Sequence, residues 1–332
     1  MKRLSQHNVI LDNAKFILIF LVILGHSFEP FIKEYKVVKT IYLLIYSFHM
    51  PAFVMISGML SRKLATDEFK KKLVKRLLVP FLVFTFIYEA FHFIAFNEVS
   101  KYIYAVQPHW LLWFLPSLFV WRYTLDIVNK TPGFLYISIF MALFIGLFPS
   151  FDNLLGLSRT IYFWPFFLIG AHLTTSYNEK LPFNFPRLLW GFALVAVIFL
   201  FWHINFINQK ILYGYLAYLS LGPSQINGLL TQTAFIILAT LMCFIFLNLT
   251  PKKIGIPTHW KQNTLYVYLW HGLAIKAAVA IGLATTLERL QSPVLIITLV
   301  LGSIVLTALF SSTFVKTFTD KFLLQPVQKL IP

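Results

Sequence analysis

The residues of this chain best suited to chemistry lie in its first hydrophobic segment. Residues 9–28 (VILDNAKFILIFLVILGHSF) are numerous enough to cross a bilayer, yet they include Asp12, Lys15 and His26. An ionised side chain in the middle of a membrane helix costs about 2.5–3.5 kcal/mol on insertion scales, so such residues usually face a cavity. Lys15 and His26 are eleven positions apart, which in an α-helix is three turns plus about 20°, or about 16 Å. One helix face therefore presents a cation and a titratable imidazole, which predicts two parts of one site.

Both residues also have a simpler interpretation. Asp12 lies three positions before Lys15, a spacing at which opposite charges pair on a helix, and a lysine near a helix end can extend its ammonium group to the membrane surface. His26 can be an interfacial histidine that is hydrogen-bonded to a neighbouring helix. The spacing alone leaves these alternatives open.

The composition indicates a polytopic helical membrane protein. Of the 332 residues, 58% are hydrophobic and 12% are charged, and the mean hydropathy is +0.76, whereas a soluble domain has about 25% charged residues. The net charge of +16 does not favour a nucleic-acid partner, because the cations cluster between hydrophobic segments. The single cysteine, Cys243, excludes an internal disulfide. The first segment lacks a small-residue cleavage site, so we expect it to remain as a helix.

Ten stretches of about twenty mainly apolar residues predict an all-α, polytopic fold of about ten transmembrane helices, in a single domain over residues 1–332. The stretches are 9–28, 38–60, 77–96, 110–128, 133–150, 160–176, 187–206, 225–249, 263–285 and 293–316. With a cytoplasmic N-terminus, the inner segments hold 20 Lys and Arg residues and the outer segments hold 7. The positive-inside rule therefore predicts that both termini are cytoplasmic.

The second predicted helix carries a histidine beside a proline. In SFHMPAFVMISGML, His49 precedes Pro51 by two positions, and because proline removes a backbone donor we expect the helix to break there. His49 then lies at a kink near the level of His26, either as a structural feature alone or as part of the site. Farther along, Ser57 and Gly58 are small enough to let another helix approach closely.

A strongly basic segment follows the second predicted helix. The residues SRKLATDEFKKKLVKRLLVP include Lys70, Lys71, Lys72, Lys75 and Arg76, and the predicted topology places them in the cytoplasm. Two interpretations are open. The segment binds anionic lipid headgroups, or it binds the phosphate groups of a cytoplasmic ligand.

The other polar residues within the predicted helices favour simpler roles. Glu89 and His92, three apart, are expected to pair, and Arg122 and Asp126, four apart, are expected to form a salt bridge. His271 lies about a third of the way along the ninth predicted helix, nearer the cytoplasm than His26, as a packing residue or as part of the site. The sequence has no HExxH, nucleophile-elbow, Walker or dinucleotide-binding motif, and no metal site is expected.

Motifs along nearly the whole chain carry a resemblance to a known family. They are LDNAKFILIFLVILGH, SFHMPAFVMISGML, HWLLWFLP, YFWPFFLIGAHL and NTLYVYLWHG. With them the chain resembles the acyltransferase-3 family of membrane-bound acyltransferases, in particular its fucose 4-O-acetylase-like branch. The most specific pattern is an Asp, a basic residue three positions on and a His after ten intervening residues, here Asp12, Lys15 and His26. Many relatives have arginine where this chain has Lys15, and lysine keeps the charge without the bidentate geometry.

The resemblance implies a multi-pass protein of the plasma or inner cell membrane that transfers an acyl group, commonly acetyl. The donor is cytoplasmic acyl-CoA and the acceptor is a hydroxyl of a sugar or cell-surface glycan. Acetyl-CoA is then a co-substrate, and no cofactor is permanently bound. The expected partners are membrane lipids, acyl-CoA and the glycan acceptor, without nucleic acid.

The resemblance also suggests roles for individual residues, with His26 as the general base that deprotonates the acceptor hydroxyl. We assign the catalytic site to His26, Lys15, Asp12 and His49, the acyl-CoA site to Lys15, Lys72, Lys75 and Arg76, and the acceptor site to His49, Ser57, Trp113 and His271. Direct attack and an acyl-histidine intermediate are both compatible with these residues.

Two other functions are alternatives. A transporter or flippase of a glycan or lipid-linked sugar uses intramembrane His and Lys as a proton relay. An inactive family member acts as an assembly partner in polysaccharide export, although the intact Asp12, Lys15 and His26 pattern disfavours this. Label transfer from acetyl-CoA without any gradient distinguishes the enzyme from the transporter.

Overall fold

The computed structural model describes residues 2–61, 66–148, 155–176, 186–203, 209–214, 216–220, 224–253 and 255–331. Within these ranges the regular structure is helical, without a strand, which confirms the all-α prediction. The chain divides into two compact units. The first comprises Met1–Phe53, Glu179–Ile207 and Leu241–Phe322, and the second comprises Val54–Asn178, Asn208–Thr240 and Leu323–Pro332. The prediction of a single acyltransferase domain stays a prediction.

The α-helices in chain order are α1 (Lys2–Phe28), α2 (Lys36–Met59), α3 (Asp67–Leu73), α4 (Val79–Phe96), α5 (Lys101–Tyr104), α6 (Phe114–Lys130), α7 (Phe134–Phe144), α8 (Leu157–Ser176), α9 (Arg187–His203), α10 (Gln225–Leu249), α11 (Thr258–Gln262), α12 (Thr264–Ala280), α13 (Leu283–Leu287), α14 (Ser292–Phe310), α15 (Thr313–Phe318) and α16 (Gln325–Gln328). Short 3₁₀ turns lie at Glu29–Phe31, Ile145–Leu147, Gln209–Tyr213 and Tyr218–Ser220, and π-helical turns at Val74–Leu78 and Thr319–Leu324.

Each of the ten predicted segments overlaps a helix of the structure. Among the described residues, five helices are long and apolar enough to cross a membrane: Val9–Phe31, Lys36–Met59, Asp67–Phe96, Gln225–Leu249 and Ser292–Phe310. Two further apolar helices, Phe134–Leu147 and Arg187–His203, are shorter. The membrane class is confirmed, while the count of about ten spans and the cytoplasmic termini stay predictions.

In the first unit, α1 packs against α12 and α14, and α12 packs against α14. A polar contact joins α1 to the segment that precedes α12, because the Asn13 side chain donates to the carbonyl of Pro251 (2.9 Å) and accepts from the Lys261 ammonium (3.1 Å). Asn13 is fully buried. Its amide therefore has partners on both its donor and acceptor sides, as a buried polar group requires.

In the second unit, α8 packs against α6 and α7. The second-unit end of α2 crosses α8 at two glycines: a Cβ on Gly58 would lie 2.0 Å from the Phe167 carbonyl oxygen, and one on Gly170 would lie 1.9 Å from the Met55 carbonyl oxygen. Any other residue at either position forces the backbones apart. The predicted close approach at Gly58 is confirmed.

The predicted break in the second helix is wrong. The helix α2 runs without interruption from Lys36 to Met59, with Pro51 inside it. Proline removes one hydrogen bond of the ladder, but 72% of the apolar window in this helix is buried. Packing against neighbouring helices therefore keeps the helix continuous where an isolated helix would end.

Candidate active site

His26 lies on the last turn of α1, where it contacts a tyrosine of α2. The Tyr46 hydroxyl lies 3.1 Å from His26 Nδ1, and the Glu29 carboxylate reaches the same nitrogen at 3.5 Å. The His26 side chain keeps 14% of its surface exposed, whereas that of Glu29 keeps 39%. Two oxygen atoms thus share Nδ1, which directs the other ring nitrogen, Nε2, away from them.

Two further histidines of the first unit complete a cluster with His26. The His271 ring of α12 stacks on the His26 ring with centroids 5.7 Å apart. The His49 ring of α2 meets the Tyr46 ring edge-on at 4.7 Å. The structure therefore brings together three of the histidines that we predicted as site residues, although no two of them share a helix.

The tautomers of the two buried histidines follow from their backbone contacts. His49 Nδ1 donates to the Ile45 carbonyl (2.8 Å), and His271 Nδ1 donates to the Val267 carbonyl (2.9 Å). In a neutral imidazole the other nitrogen is then an acceptor. His271 is fully buried, and its Nε2 has no hydrogen-bond partner among the described residues. The cluster therefore presents imidazole lone pairs that can accept from a hydroxyl.

His26 and His271 lie at one level, so the predicted difference in their depths is wrong. The reason is the register between the helices. Asn13 on α1 is hydrogen-bonded to Lys261 on α11, just before α12 begins. From this shared contact, His26 lies 13 residues farther along α1 and His271 lies 10 residues farther in the chain, on α12. The prediction placed each histidine by counting residues from the start of its own hydrophobic segment. Such a count cannot include the offset between the two helices.

A glycine next to His26 makes room for the tyrosine. A Cβ on Gly25 would lie 2.9 Å from Cε2 of the Tyr46 ring. The ring of Tyr42, one turn earlier on α2, stacks on Tyr46 at 4.0 Å and supports it from the other side. Together, Gly25 and the stacked Tyr42 ring hold the Tyr46 hydroxyl against His26.

Lys15 pairs with Asp12, as the simpler interpretation predicted. Lys15 Nζ lies 2.8 Å from the Asp12 carboxylate, and the two side chains are 21% and 28% exposed. Because α1 is continuous, Lys15 stays on the His26 face of the helix, about 16 Å away. A partly exposed pair of this kind retains access to a charged ligand.

Three of the four basic residues assigned to acyl-CoA, Lys72, Lys75 and Arg76, belong to the second unit. Lys72 is exposed on α3, whereas half-buried Lys75 and exposed Arg76 lie on the π-helical turn Val74–Leu78. This turn packs against α6, and its Lys75 carbonyl accepts a hydrogen bond from the Gln328 side chain (2.9 Å). π-helical turns are frequent at functional sites. The turn presents cations on a fixed part of the backbone.

The other two predicted acceptor residues also belong to the second unit. Ser57 lies beside Gly58 at the crossing with α8. Trp113 precedes α6, and its ring stacks on Phe163 at 5.2 Å, while the Arg159 guanidinium lies over it at 5.2 Å. Trp113 is 7% exposed, and its role as an acceptor residue stays a prediction.

A family model described as an acyltransferase domain matches residues 8–312. The chain belongs to the acyltransferase-3 family. No curated protein and no solved structure matches it. The matched range includes every residue that we assigned to the site, from Asp12 to His271.

The predicted pair of Glu89 with His92 is wrong for this acyltransferase-3 protein. The Glu89 carboxylate accepts short hydrogen bonds from His109 and Ser100, which follow α4 in the chain, whereas His92 contacts Glu98 at 3.5 Å. The loop beyond α4 returns over the helix, and this brings His109 closer to Glu89 than a neighbour on the same helix face.

The Arg122 guanidinium lies over the Phe69 ring of α3 at 5.8 Å, and its predicted salt bridge with Asp126 stays a prediction. The contact of Arg122 with Phe69 follows from the packing of α3 against α6.

Sequence reasoning missed Tyr46 and Glu29 as neighbours of His26. A signal was available for Tyr46, because Tyr42, Tyr46 and His49 follow the i, i+4, i+7 spacing of one helix face. For Glu29 the signal was its position three residues after His26. Neither signal identifies the partner helix, which only the packing of α1 against its neighbours shows.

Proposed function

We propose that this acyltransferase-3 protein is an O-acyltransferase that moves an acetyl group from acetyl-CoA to a hydroxyl of a sugar or cell-surface glycan. The observation that carries the proposal is the position of the His26 imidazole: Tyr46 and Glu29 contact its Nδ1, and the His271 ring stacks on it. Such an arrangement is suited to a base whose second nitrogen must point in one direction.

In the proposed reaction, His26 Nε2 takes the proton of the acceptor hydroxyl as the hydroxyl oxygen attacks the thioester carbonyl. The new C–O bond forms, the C–S bond breaks, and the leaving thiolate of CoA receives the proton from His26. Nδ1 keeps its own proton toward the Tyr46 oxygen and the Glu29 carboxylate. General-base catalysis of this type contributes about 10²–10⁴-fold.

The two remaining histidines position the acceptor. Both donate Nδ1–H to a backbone carbonyl, so their Nε2 atoms accept hydrogen bonds from substrate hydroxyls. A neutral hydroxylated acceptor satisfies such lone pairs, whereas an anionic one is repelled by them. This chemistry supports a sugar hydroxyl as the acceptor.

The donor is bound through its phosphates. Lys72, Lys75 and Arg76 provide the positive charge that a nucleotide-containing thioester requires. Lys15 contributes a further cation on the face of α1 that carries His26, and Asp12 holds its ammonium group in place. We assign the phosphate groups of acetyl-CoA to these cations.

The test is transfer of labelled acetyl from acetyl-CoA to a panel of glycan acceptors by the purified protein in detergent. We expect transfer by the wild-type protein without any gradient, and a loss of about 10²–10⁴-fold in His26→Ala. His203→Ala, at an exposed histidine of α9, serves as the matched control and keeps full activity. Full transfer by a normally expressed His26→Ala variant contradicts the mechanism, and the absence of transfer by the wild type favours the transporter.

A further inference from the structure

The first unit contains a buried lysine that the proposed mechanism does not use. Lys261 of α11 is 8% exposed, and its ammonium group donates to the side-chain oxygen of Asn13 on α1 at 3.1 Å. Among the described residues, no carboxylate pairs with this ammonium group. Burying a cation beside a neutral amide costs free energy. The stability of the fold therefore gives no reason for a lysine at this position.

Asn13 is the centre of the contact. Its side chain is fully buried, and its amide nitrogen donates to the carbonyls of Pro251 (2.9 Å) and Lys252 (3.3 Å), which lie in the loop between α10 and α11. An amide can accept from an ammonium group while it donates to carbonyls, which neither a carboxylate nor an apolar side chain can do. One side chain of α1 therefore holds both α11 and the loop before it.

The contact bears on α12 because a single residue, Asn263, separates α11 from α12. The Asn263 side chain donates to the Ser311 carbonyl just beyond α14 (2.9 Å), and the Tyr266 hydroxyl donates to the Asp320 carboxylate (2.8 Å). These two contacts tie α12 to the end of α14 and to the turn that contains Asp320. The Lys261 contact ties it to α1, so the start of α12 is fixed against both neighbours.

Apolar packing alone defines the register of α1 against α12 only weakly. Residues 16–24 of α1 are all apolar (FILIFLVIL), and in a membrane the hydrophobic effect does not hold such a surface in one position, because lipid is equally apolar. A hydrogen bond is short and directional, and a slide of one turn, about 5.4 Å, separates Lys261 from Asn13. A buried polar contact between helices is the best-attested means of fixing their register.

The same register brings two imidazoles together. The His26 and His271 rings stack with centroids 5.7 Å apart, and a slide of one helical turn is about as long as that distance. We infer that Lys261 and Asn13 are positioning residues, which place His271 against His26 by fixing the register of α1 and α12. The acceptor role of His271 rests on the proposed function. Its placement does not, so the two can be tested separately.

The first experiment measures the register without any reaction. In the full-length protein with Cys243→Ser, the pair His26→Cys and His271→Cys is cross-linked in membranes by a short bifunctional thiosulfonate. We expect the rate of cross-linking to fall about tenfold when Lys261→Met is added, because the lost hydrogen bond no longer favours one register. Lys261→Arg, which keeps a charged donor, retains the rate. Lys253→Met, at an exposed lysine of the preceding loop, leaves it unchanged and is the matched control.

The second experiment is acetyl transfer by the same Lys261 variants with both histidines intact. We expect Lys261→Met to lower kcat/KM for the glycan about tenfold, because His271 is no longer held in place to contact the acceptor. The KM for acetyl-CoA stays unchanged, since the donor is bound elsewhere. Lys261→Arg recovers kcat/KM for the glycan, and Lys253→Met again serves as the control.

Each outcome decides one of the two proposals. The inference is overturned if the cysteine pair cross-links as fast in Lys261→Met, or if it does not cross-link with Lys261 in place. A raised KM for acetyl-CoA with unchanged cross-linking shows that the ammonium group binds the donor, which also contradicts the inference. If cross-linking depends on Lys261 but the wild type transfers no acetyl group, the positioning role stands and the proposed function falls. Asn13→Ser, which removes the acceptor of the contact, gives the same expected loss of cross-linking if Lys261→Met fails to fold.

Discussion

His26 takes its orientation from side chains on other parts of the first unit. Tyr46 and Glu29 contact Nδ1, and His271 covers one face of the ring. A base without such neighbours can rotate about its χ angles, and only a fraction of its orientations directs Nε2 toward a substrate. The neighbours of His26 therefore belong to the proposed mechanism as positioning residues.

The Tyr46→Phe variant tests whether the Tyr46 hydroxyl orients the His26 ring. Removing the hydroxyl keeps the ring stacked on Tyr42 but takes one hydrogen bond from His26 Nδ1. We expect kcat for acetyl transfer to fall about tenfold, as the loss of one hydrogen bond predicts, with the KM for acetyl-CoA unchanged. Tyr136→Phe, at a tyrosine that is 78% exposed, is the control. An unaltered kcat in Tyr46→Phe shows that His26 is oriented by other contacts.

Helix crossings position the side chains of the second unit. At the crossing of α2 and α8, Gly58 and Gly170 each face a carbonyl oxygen of the opposite helix at a distance that no Cβ tolerates. In a membrane, small residues allow the van der Waals packing that holds helices together. The crossing also sets the position of Ser57, which we predicted as an acceptor residue.

The Gly58→Ala variant tests the crossing. The added methyl group would lie 2.0 Å from a backbone oxygen, and because backbone cannot move aside as a flexible side chain does, we expect overpacking to destabilise the protein by about 1–3 kcal/mol. The measurement is thermal unfolding in detergent. Gly191→Ala on α9, where nothing lies within 4 Å of an added Cβ, is the matched control. Equal unfolding temperatures for the two variants disprove a tight crossing.

The π-helical turn Val74–Leu78 is a second element whose geometry bears on function. Its carbonyl at Lys75 accepts from the Gln328 side chain, and its packing against α6 orients the basic segment. A run of lysines on a frayed terminus attracts phosphate only through net charge. On a turn packed against a helix, the backbone that carries these charges is held in place, and the choice between an anion site and attraction to lipid stays open.

For the molecule as a whole, the orientation in the membrane is the prediction with the widest consequences. Cysteine labelling tests it, because Cys243 is buried and can be replaced by serine. In this background we expect Glu288→Cys, in a predicted outer segment, to react with a membrane-impermeant maleimide in intact cells. Lys130→Cys, in a predicted inner segment, reacts only after permeabilisation. Both positions are exposed, so a reversed pattern refutes the orientation with both termini in the cytoplasm.

Several features of this protein were readable from the sequence. Hydrophobic segments predicted helices at the observed places, since the period and length of an apolar stretch are local properties of the chain. The Asp12–Lys15 pair was also predicted, because residues three apart on one helix are neighbours whatever surrounds them. The close approach at Gly58 followed from residue size. The first two depend on neighbours in the chain, and the third depends on the size of one residue.

Contacts between helices followed from the tertiary structure alone. His26 stacks on His271, Glu89 pairs with His109 rather than with His92, and α2 continues through Pro51 because its neighbours bury it. The sequence by itself determined the helices, the membrane class and the Asp12–Lys15 pair, because a helix brings fixed offsets together. Only the packing of one helix on another decided which imidazoles share a site, since that register depends on side chains hundreds of positions apart in the chain.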